Sequence, residues 1–277
     1  MSLSGKTVLI TGSTDGVGRY VAEKLGAGGA RVIVHGRDSA RGEAVVANIA
    51  KDGGEAVFLP ADLSSLADVR RLAEAVRETT GRLDLMVNNA GIGTGSGGGR
   101  RQTSADGFEL VFAVNYLAGF LLTRLLLPPI EASAPARIVN VASAGQQAID
   151  FDDVMLERGF SGMRAYRQSK LAQILFTFDL AEELKGRGVA VTCLHPATYM
   201  ATTMVRQAGV SPMSTVAEGG AAILQLAESP ALEGVTGLYF NGMRESRADA
   251  QAYETQARRR LRALSFALVG LKDPAAT

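Results

Sequence analysis

The sequence has little of what disulfide and metal sites are built from. It contains one cysteine, Cys193, two histidines, His35 and His195, and no tryptophan among 277 residues. A single thiol excludes an internal disulfide framework. Two histidines that are far apart in the chain leave too few soft ligands for a usual zinc site. We therefore expect chemistry that needs no metal.

An excess of charge of one sign is also lacking. The 29 basic and 28 acidic residues give a formal net charge of +1. No long-range field therefore draws the chain to nucleic acid or to an anionic membrane. An anionic ligand has to be held by a local site.

Long hydrophobic runs are absent as well. The apolar stretch around Phe120 to Ile130 is short and contains Arg124 and prolines, whereas a membrane-spanning helix needs about 20 apolar residues. The first residues lead into a strand pattern without the features of a signal peptide. We expect no stable membrane insertion and a cytoplasmic protein.

What the sequence does contain is an alternation of short β-branched runs with longer segments of helical period. The predicted strands are Thr7–Thr11, Arg31–His35, Glu55–Leu59, Leu83–Val87, Arg137–Ala142, Ala190–Leu194 and Gly237–Phe240. The predicted helices are Gly16–Ala27, Ala40–Lys51, Ser65–Thr80, Ser104–Leu127, Arg164–Lys185 and Thr215–Ala227. This alternation is typical of βα units. It predicts one α/β domain over residues 1–277, a Rossmann-type doubly wound, mostly parallel sheet of seven strands with helices on both faces. The ligand crevice of such a sheet lies beyond the carboxyl ends of its strands.

A glycine-rich turn joins the first predicted strand to the first predicted helix. It reads Thr11-Gly12-Ser13-Thr14-Asp15-Gly16-Val17-Gly18. Glycine permits a tight turn and the close approach of a ligand, and free N–H groups at a helix N-terminus attract phosphate. We therefore predict that the residues from Gly12 to Gly18 hold a dinucleotide pyrophosphate. The alternative is a plain turn with a helix-packing glycine.

The spacing of these glycines, T-G-x-x-x-G-x-G, resembles that of the classical short-chain dehydrogenases/reductases. Further motifs of that family follow in the same order along most of the chain. They are Asp62-Leu63, Asn88-Asn89-Ala90-Gly91, Asn115, Ser143, Tyr166-x-x-x-Lys170 and His195-Pro196-Ala197. The last motif departs from the usual Pro-Gly, and alanine resists positive φ, so we expect this loop to differ. The resemblance implies a dehydrogenase or reductase that uses a nicotinamide dinucleotide.

The end of the second predicted strand bears on the choice between NAD and NADP. No carboxylate stands where the ribose diol of NAD would be bound, and Arg37 can pair with the extra phosphate of NADP. We predict NADP(H) in preference to NAD(H). The alternative for Arg37 is a solvated arginine that pairs with Asp38 or caps the next helix. Asp15 places an unfavourable negative charge near that phosphate.

Tyr166 and Lys170 are four residues apart in a predicted helix, so their side chains share one face. An ammonium at about 5 Å, with an effective dielectric constant near 20, favours a phenolate by about 3 kcal/mol, which is about two pKa units. The spacing therefore predicts that Lys170 lowers the pKa of Tyr166. The alternative is a tyrosine that packs over the stem of a solvated lysine.

The family resemblance implies a role for each matched residue. Tyr166 exchanges the proton with the substrate oxygen, Lys170 also holds the nicotinamide ribose, and Ser143 donates a hydrogen bond to the same oxygen. Asn115 kinks its helix and holds a water that relays protons from Lys170; its alternative is a buried structural hydrogen bond. The remaining implied contacts are Asp62 and Leu63 with adenine, Asn89, Ala90 and Gly91 with the adenosine ribose, and Pro196 and Thr198 with the carboxamide. For Asp62 a capping role, and for the asparagines a polar turn, are compatible with cofactor contact.

Two insertions and a C-terminal segment resemble the retinol-dehydrogenase-like branch of the family. Residues 144–165 are expected to form a wall of the active site, and residues 199–214 a lid whose methionines accept an apolar ligand, unless they merely pack under the loop. A segment over about 246–271 has helical apolar spacing and is expected to dock on the domain, with a membrane-surface helix as the alternative. The resemblance implies a small apolar carbonyl or alcohol substrate.

Other classes of protein remain open at this stage. A regulatory protein that binds NADP without catalysis usually lacks the tyrosine or the lysine, and an epimerase of the extended branch needs a larger C-terminal domain. Self-association as a homodimer or homotetramer is expected through the predicted helices Ser104–Leu127 and Arg164–Lys185.

Overall fold

A computed structural model describes residues 3–94 and 99–275 of the chain. The strands are β1 (Thr7–Ile10), β2 (Arg31–Gly36), β3 (Glu55–Pro60), β4 (Leu85–Asn88), β5 (Ala136–Val141), β6 (Val189–His195), β7 (Leu238–Asn241) and β8 (Arg244–Ser246). They form one sheet in the order β3-β2-β1-β4-β5-β6-β7-β8. Strands β1 to β7 are parallel, and β8 runs antiparallel to β7. The strand order reverses between β1 and β4, so the sheet is doubly wound as predicted.

The sheet has one strand more than the seven that the sequence predicts. Strand β8 is only three residues long and largely exposed, so it carries no apolar alternation by which the sequence could reveal it. It follows β7 after the two residues Gly242 and Met243. Gly242 has φ +58°, the left-handed conformation that a two-residue hairpin turn requires.

Helices cover both faces of the sheet. They are α1 (Gly16–Ala27), α2 (Ser39–Lys51), α3 (Leu66–Thr79), α4 (Leu110–Phe112), α5 (Ala118–Ala132), α6 (Gly162–Glu183), α7 (Thr203–Gln207), α8 (Val216–Glu228) and α9 (Thr255–Val269). One apolar layer lies between the sheet and α3, α5, α6 and α9, and the other lies between the sheet and α1, α2 and α8. Strands β1, β4 and β5 are buried along their whole length because both faces are covered.

The predicted helix Ser104–Leu127 begins later and ends later than expected. It starts at Leu110 because the buried carboxylate of Glu109 accepts hydrogen bonds from the N–H groups of Val111 and Phe112, at 3.0 and 2.7 Å. It passes through a π-helical segment, Ala113–Leu117, and continues beyond its prolines to Ala132. The stretch Leu110–Ala132 would be long and apolar enough to span a membrane by length and composition, and 72% of its most apolar window is buried inside the protein.

The C-terminal segment is not one helix over 246–271, as the sequence predicts, but three elements. Ser246 ends β8, a 3-10 turn covers Ala250–Tyr253, and α9 ends at Val269, where Gly270 caps it with φ +64°. Helix α9 docks on the domain: the Phe266 ring packs on Phe120 at 5.2 Å between centroids. The docked arrangement, rather than a free surface helix, is therefore what the structure shows.

Charged groups reinforce the docking of α9. Arg262 of α9 pairs with Asp179 and Glu183 of α6 and with Asp273, at 3.0, 2.5 and 2.6 Å. Glu183 also accepts two hydrogen bonds of 2.7 Å from the buried Arg124 of α5. These contacts join the C-terminal segment to the two long helices that line the same face of the sheet.

Candidate active site

The glycine turn packs against the turn that follows β4. Gly12 has φ +65°, and a Cβ there would lie 2.8 Å from the Cα of Ala90. A Cβ at Gly18 would lie 2.3 Å from the Gly12 carbonyl oxygen and 2.4 Å from Nδ2 of Asn89. No other residue type fits at these two positions without moving backbone. The turn therefore brings the N-terminus of α1 close to the end of β4.

The side chains of Asn89 and Thr11 hold these two turns together. Asn89 Nδ2 donates to the carbonyl oxygens of Thr11 and Gly12, at 2.9 and 3.0 Å. The hydroxyl oxygen of Thr11 accepts from the backbone N–H groups of Asn89 and Ala90, both at 3.0 Å. The polar turn that the sequence predicts at Asn88-Asn89 is therefore present after β4.

A cavity of about 500 Å³ lies along the carboxyl ends of the strands, beside the glycine turn. Twelve of the predicted cofactor residues line it: Gly12, Thr14, Asp15, Gly16, Val17, Gly18, Arg37, Asp62, Leu63, Asn89, Ala90 and Gly91. His35 and Gly36, for which the sequence predicted no cofactor role, also line it, as do Thr202 and Met204 of the predicted lid 199–214. The backbone at Gly12 and Gly18 leaves the close approach that a diphosphate needs, so the residues present fit a nicotinamide dinucleotide.

Ser13 does not take the cofactor role that the sequence predicts for it. Its side chain is fully buried, and its hydroxyl donates to the Ile10 carbonyl at 2.7 Å and accepts from the His35 N–H at 3.0 Å. Its own backbone N–H donates to the His35 carbonyl oxygen at 2.9 Å. Ser13 therefore joins the turn to β2, which corrects the prediction.

His35 supports the turn from the end of β2. Its Nδ1 accepts from the Gly12 N–H at 3.1 Å, so the neutral ring carries its proton on Nε2. Burial lowers its pKa to about 4. Nε2 is buried and makes no hydrogen bond with the described residues, although it faces the backbone near Ala61. A polar residue inside a buried strand was the available sequence signal for this role.

Charged residues alternate around the rim of the cavity. Arg37 lies 3.9 Å from Asp62, and both side chains are well exposed. Asp38 caps α2 by accepting from the Arg41 N–H at 3.1 Å. Arg37 pairs with Asp62 instead of Asp38, but its side chain is 70% exposed, so the predicted alternative of a solvated arginine holds in that respect. The Arg41 guanidinium lies 3.4 Å from Asp38 and 3.6 Å from Asp15. Arg41 is therefore a second cation at this rim that the sequence reasoning missed.

Asp15 carries a full negative charge at neutral pH. Burial by itself would raise its pKa, but hydrogen bonds from Thr203 and the Gly16 N–H, with the charges of Arg41 and Arg206, lower the pKa overall. Arg41 thus neutralises much of the charge that was expected to repel a phosphate. The hydrogen bond with Thr203 also joins the glycine turn to α7 in the segment 199–214.

Tyr166 and Lys170 come together on α6 as their spacing predicts. Lys170 Nζ lies 5.7 Å from the centroid of the Tyr166 ring. Its ammonium donates to the Val141 carbonyl oxygen and to Oε1 of Gln173, both at 2.9 Å. Lys170 is buried, with 5% of its side chain exposed, so the predicted alternative of a solvated lysine is wrong.

The expected direction of the tyrosine pKa is also wrong. Burial raises the pKa of Tyr166, a hydrogen bond with Ser143 opposes this, and the nearby Tyr199 phenol raises the pKa further. Burial lowers the pKa of Lys170 to about 7, which weakens the positive charge that was expected to favour the phenolate. The protein's own groups therefore keep Tyr166 as a neutral phenol at neutral pH, the form that can donate a proton.

Ser143 lies just beyond β5, beside Tyr166. Its carbonyl oxygen accepts hydrogen bonds from Nε2 of Gln146 at 2.9 Å and from the Tyr239 hydroxyl at 3.3 Å. Its hydroxyl oxygen accepts from the Gly145 N–H at 3.0 Å, so the hydroxyl proton is available to Tyr166 or to a substrate oxygen. The structure thus brings Ser143 and Tyr166 to one point of the sheet edge.

Asn115 lies within the π-helical segment, where its helix is irregular. Its Oδ1 accepts from the Ile92 N–H at 2.8 Å, and its Nδ2 donates to the Ile92 carbonyl and to the Ser169 hydroxyl, both at 3.1 Å. The predicted alternative for Asn115, a buried structural hydrogen bond, therefore describes this side chain. Its role in holding a water that relays protons from Lys170 remains a prediction. A Cβ at Gly91 would lie 3.6 Å from Lys170 Nζ, so Lys170 is next to a residue that lines the cavity, although neither Lys170 nor Tyr166 lines it.

The segments expected to enclose a substrate flank the site. Thr198 is exposed and its hydroxyl lies 3.0 Å from Nε2 of His195, and neither Thr198 nor Pro196 lines the cavity. Residues 144–165 form no helix before Gly162. Gln251 holds this wall, since its side chain bonds both the N–H and the carbonyl of Ile149, at 2.7 and 3.1 Å.

A proton donor beside a cleft that fits a dinucleotide defines a dehydrogenase or reductase, and comparison with known proteins gives its family. The short chain dehydrogenase model matches residues 6–211. Human "Retinol dehydrogenase 14" is 37% identical, covering 97% of this chain and 88% of the relative, and human "Retinol dehydrogenase 12" is 34% identical, covering 98% and 89%. The chain belongs to the short-chain dehydrogenase family, in its retinol-dehydrogenase-like branch, and is an oxidoreductase that acts on CH–OH groups.

Solved structures share the fold over most of their length. A putative uncharacterized protein from Mycobacterium paratuberculosis superposes with a TM-score of 0.81 at 29% identity, covering 99% of this chain and 96% of that one. The "Pseudomonas aeruginosa RhlG/NADP active-site complex" superposes with a TM-score of 0.71 at 31% identity, covering 87% and 95%. The Rossmann-type α/β class predicted from the sequence is therefore confirmed.

Proposed function

We propose that this protein is an NADP(H)-dependent oxidoreductase that interconverts an apolar carbonyl compound and its alcohol, with Tyr166 as proton donor and acceptor. The observation that carries the proposal is the meeting of Tyr166, Ser143 and Lys170 beyond the end of β5, with Lys170 next to Gly91, a residue that lines the cavity beside the glycine turn. Ser143 and Lys170 are buried, and Tyr166 is half-buried. Such a site excludes water and holds its groups in place before a substrate arrives.

The cofactor residues follow the order of the strands. The turn from Thr14 to Gly18 would hold the pyrophosphate, and Arg37 with Arg41 the extra phosphate of NADP. Asp62 and Leu63 would contact adenine, Asn89 to Gly91 the adenosine ribose, Lys170 the second ribose, and Pro196 with Thr198 the carboxamide. Bound NADPH supplies the hydride for reduction.

The protein's own groups handle the proton and the substrate oxygen. Tyr166, held as a neutral phenol, donates its proton to the carbonyl oxygen in the direction of reduction. The Ser143 hydroxyl donates a second hydrogen bond to that oxygen and stabilises the negative charge that develops on it. The Lys170 ammonium stabilises the phenolate that remains, and a proton from solvent then restores the neutral phenol.

Arg37→Ala is expected to weaken NADPH binding about tenfold and NADH binding hardly at all. The exposed Arg37–Asp62 contact at 3.9 Å is weak, so the guanidinium is available to a phosphate that only NADPH carries. Fluorescence titration with both cofactors measures this. Arg187→Ala is the matched control, because Arg187 is an exposed arginine in an ion pair of 3.1 Å with Glu131, remote from the cavity. Equal losses for NADPH and NADH would contradict the NADP assignment.

An apolar substrate is supported by the lid and by the names of the relatives, which include retinol dehydrogenases. Met204, Met213 and Tyr199 in the segment 199–214 are partly exposed, at 39%, 73% and 48%. Flexible thioethers and a phenol ring can cover an apolar ligand that spans the cavity mouth.

The substrate class is tested with a series of straight-chain aldehydes, retinal and a polar sugar aldehyde, followed by the loss of NADPH absorbance. We expect kcat/KM to rise with chain length, since each added methylene gains about 0.8 kcal/mol on burial. Faster turnover of the polar aldehyde would overturn the apolar assignment while leaving the oxidoreductase class intact.

Three further assignments are part of the proposal. The whole chain is one domain, supported by the single sheet of the described residues, and the compartment is the cytoplasm, with which a buried free thiol at Cys193 is compatible. Self-association through the helices predicted at 104–127 and 164–185 stays a prediction. Because α9 packs against α5 and α6, such an assembly must use the surface that α9 leaves uncovered.

A further inference from the structure

The ammonium of Lys170 is buried without a carboxylate to balance it. Among the described residues, 3–94 and 99–275, no acidic side chain forms an ion pair with Lys170. Its hydrogen-bond partners are two uncharged oxygens, the Val141 carbonyl and Oε1 of Gln173, both at 2.9 Å. Gln173 is itself buried, with 5% exposed, and lies three residues further along α6.

The groups that face Lys170 from other elements do not supply the missing charge. Tyr166 lies on the same helix, and Asn115 and Gly91 border the lysine from the π-helical segment and from the turn after β4. His195, at the end of β6, has its pKa lowered by burial and by the charge of Lys170, so it is neutral at neutral pH.

The three carboxylates of α6 do not balance this charge either, since Glu182 is exposed near the end of the helix and the other two pair with arginines. Asp179 pairs with Arg262, and Glu183 pairs with Arg124 and Arg262. Asp179 lies nine residues beyond Lys170, which is about 13 Å along a helix. The two neutral oxygens are therefore the groups that stabilise the ammonium directly.

We propose that Gln173 is a positioning residue for Lys170: its amide oxygen, with the Val141 carbonyl, holds the ammonium beside Tyr166 and keeps it charged. This rests on the proposed role of Lys170 in holding the cofactor ribose. A lysine ammonium only donates hydrogen bonds, so the amide must present its oxygen. Burial lowers the pKa of Lys170 to about 7. The ammonium therefore loses its proton near neutral pH, where the binding of NADPH can be measured.

The test is the dissociation constant of NADPH as a function of pH, measured by fluorescence without turnover. In the unmodified protein, NADPH binding should weaken as pH rises through the pKa of Lys170, because the ammonium is lost. Gln173→Leu removes the acceptor and should move the midpoint of this loss down by about one pH unit. Gln173→Glu supplies a carboxylate and should move it up by at least about one unit.

Opposite shifts in Gln173→Leu and Gln173→Glu would show a positioning role, because a damaged fold would not raise the pH at which NADPH binding weakens. The matched control is Gln168→Leu. Gln168 is a buried glutamine of the same helix, with 3% exposed, and it donates to the Ala148 carbonyl instead. Its midpoint should not move.

The outcomes distinguish this inference from the proposed function. Binding of NADPH with the same midpoint in all three variants would overturn the role of Gln173 alone. A protein that binds neither NADPH nor NADH would overturn the cofactor assignment and the role of Gln173 with it. Opposite shifts in Gln173→Leu and Gln173→Glu would support both.

Discussion

Tyr166→Phe should lower kcat for carbonyl reduction by about a hundredfold to ten-thousandfold, the usual contribution of a positioned general acid. Phenylalanine keeps the ring beside Lys170 and removes only the hydroxyl, so NADPH should bind with unchanged affinity. The raised pKa of Tyr166 means that the proton is present on the phenol through neutral pH. Stopped-flow measurement of NADPH oxidation, with a parallel binding titration, separates chemistry from binding.

Tyr20→Phe is the control for the loss of a tyrosine hydroxyl. Tyr20 lies on α1, where its ring packs beside Gly220 of α8 and under Lys24, away from Ser143 and Lys170. This variant should keep full turnover. If Tyr166→Phe also kept turnover, another group would be the proton donor and the proposed mechanism would be wrong.

Gly18→Ala should weaken NADPH binding by about tenfold to a hundredfold. The added methyl group would lie 2.3 Å from the Gly12 carbonyl oxygen and 2.4 Å from Asn89 Nδ2, so the turn between β1 and α1 must open. Overpacking of this kind costs about 1–3 kcal/mol, and the displaced N–H groups are those that would hold the pyrophosphate. Calorimetric titration measures the affinity, and thermal unfolding reports how much of the effect is lost stability.

Gly81→Ala is matched to this variant. A Cβ at Gly81 would meet nothing within 4 Å, and Gly81 does not have a positive φ. Gly81→Ala should leave both affinity and stability unchanged, because the added methyl group has open space at Gly81 and none at Gly18. Equal affinities for all three proteins would show that the glycine turn does not hold the cofactor.

Much of the fold could be predicted because it follows from local pattern. Strands β1 to β7 are apolar runs in the sequence, and an aspartate, serine or threonine caps most of the long helices. The errors lie where tertiary contacts override that pattern. Helix α4 begins at Leu110 because Glu109 is buried there, and β8 forms only because β7 offers an edge.

The residues of the site also fall into those that the sequence predicted and those that depend on tertiary contacts. The order of the motifs predicted which residues lie near the carboxyl edge of the sheet, and twelve of them line one cavity. The roles of Ser13, His35 and Arg41 were not predictable, since each depends on a partner more than twenty residues away or on another element of the rim.

The sequence alone determined the class of fold, the position of the glycine turn and the pairing of Tyr166 with Lys170, because these depend on residue type and on spacing within one turn or one helix. The tertiary structure decided the protonation of that pair. Burial acts on both groups through every element packed around them, and it raises the pKa of Tyr166 while lowering that of Lys170. Spacing sets how far apart two charges are, but only the packed protein sets how much water remains around them.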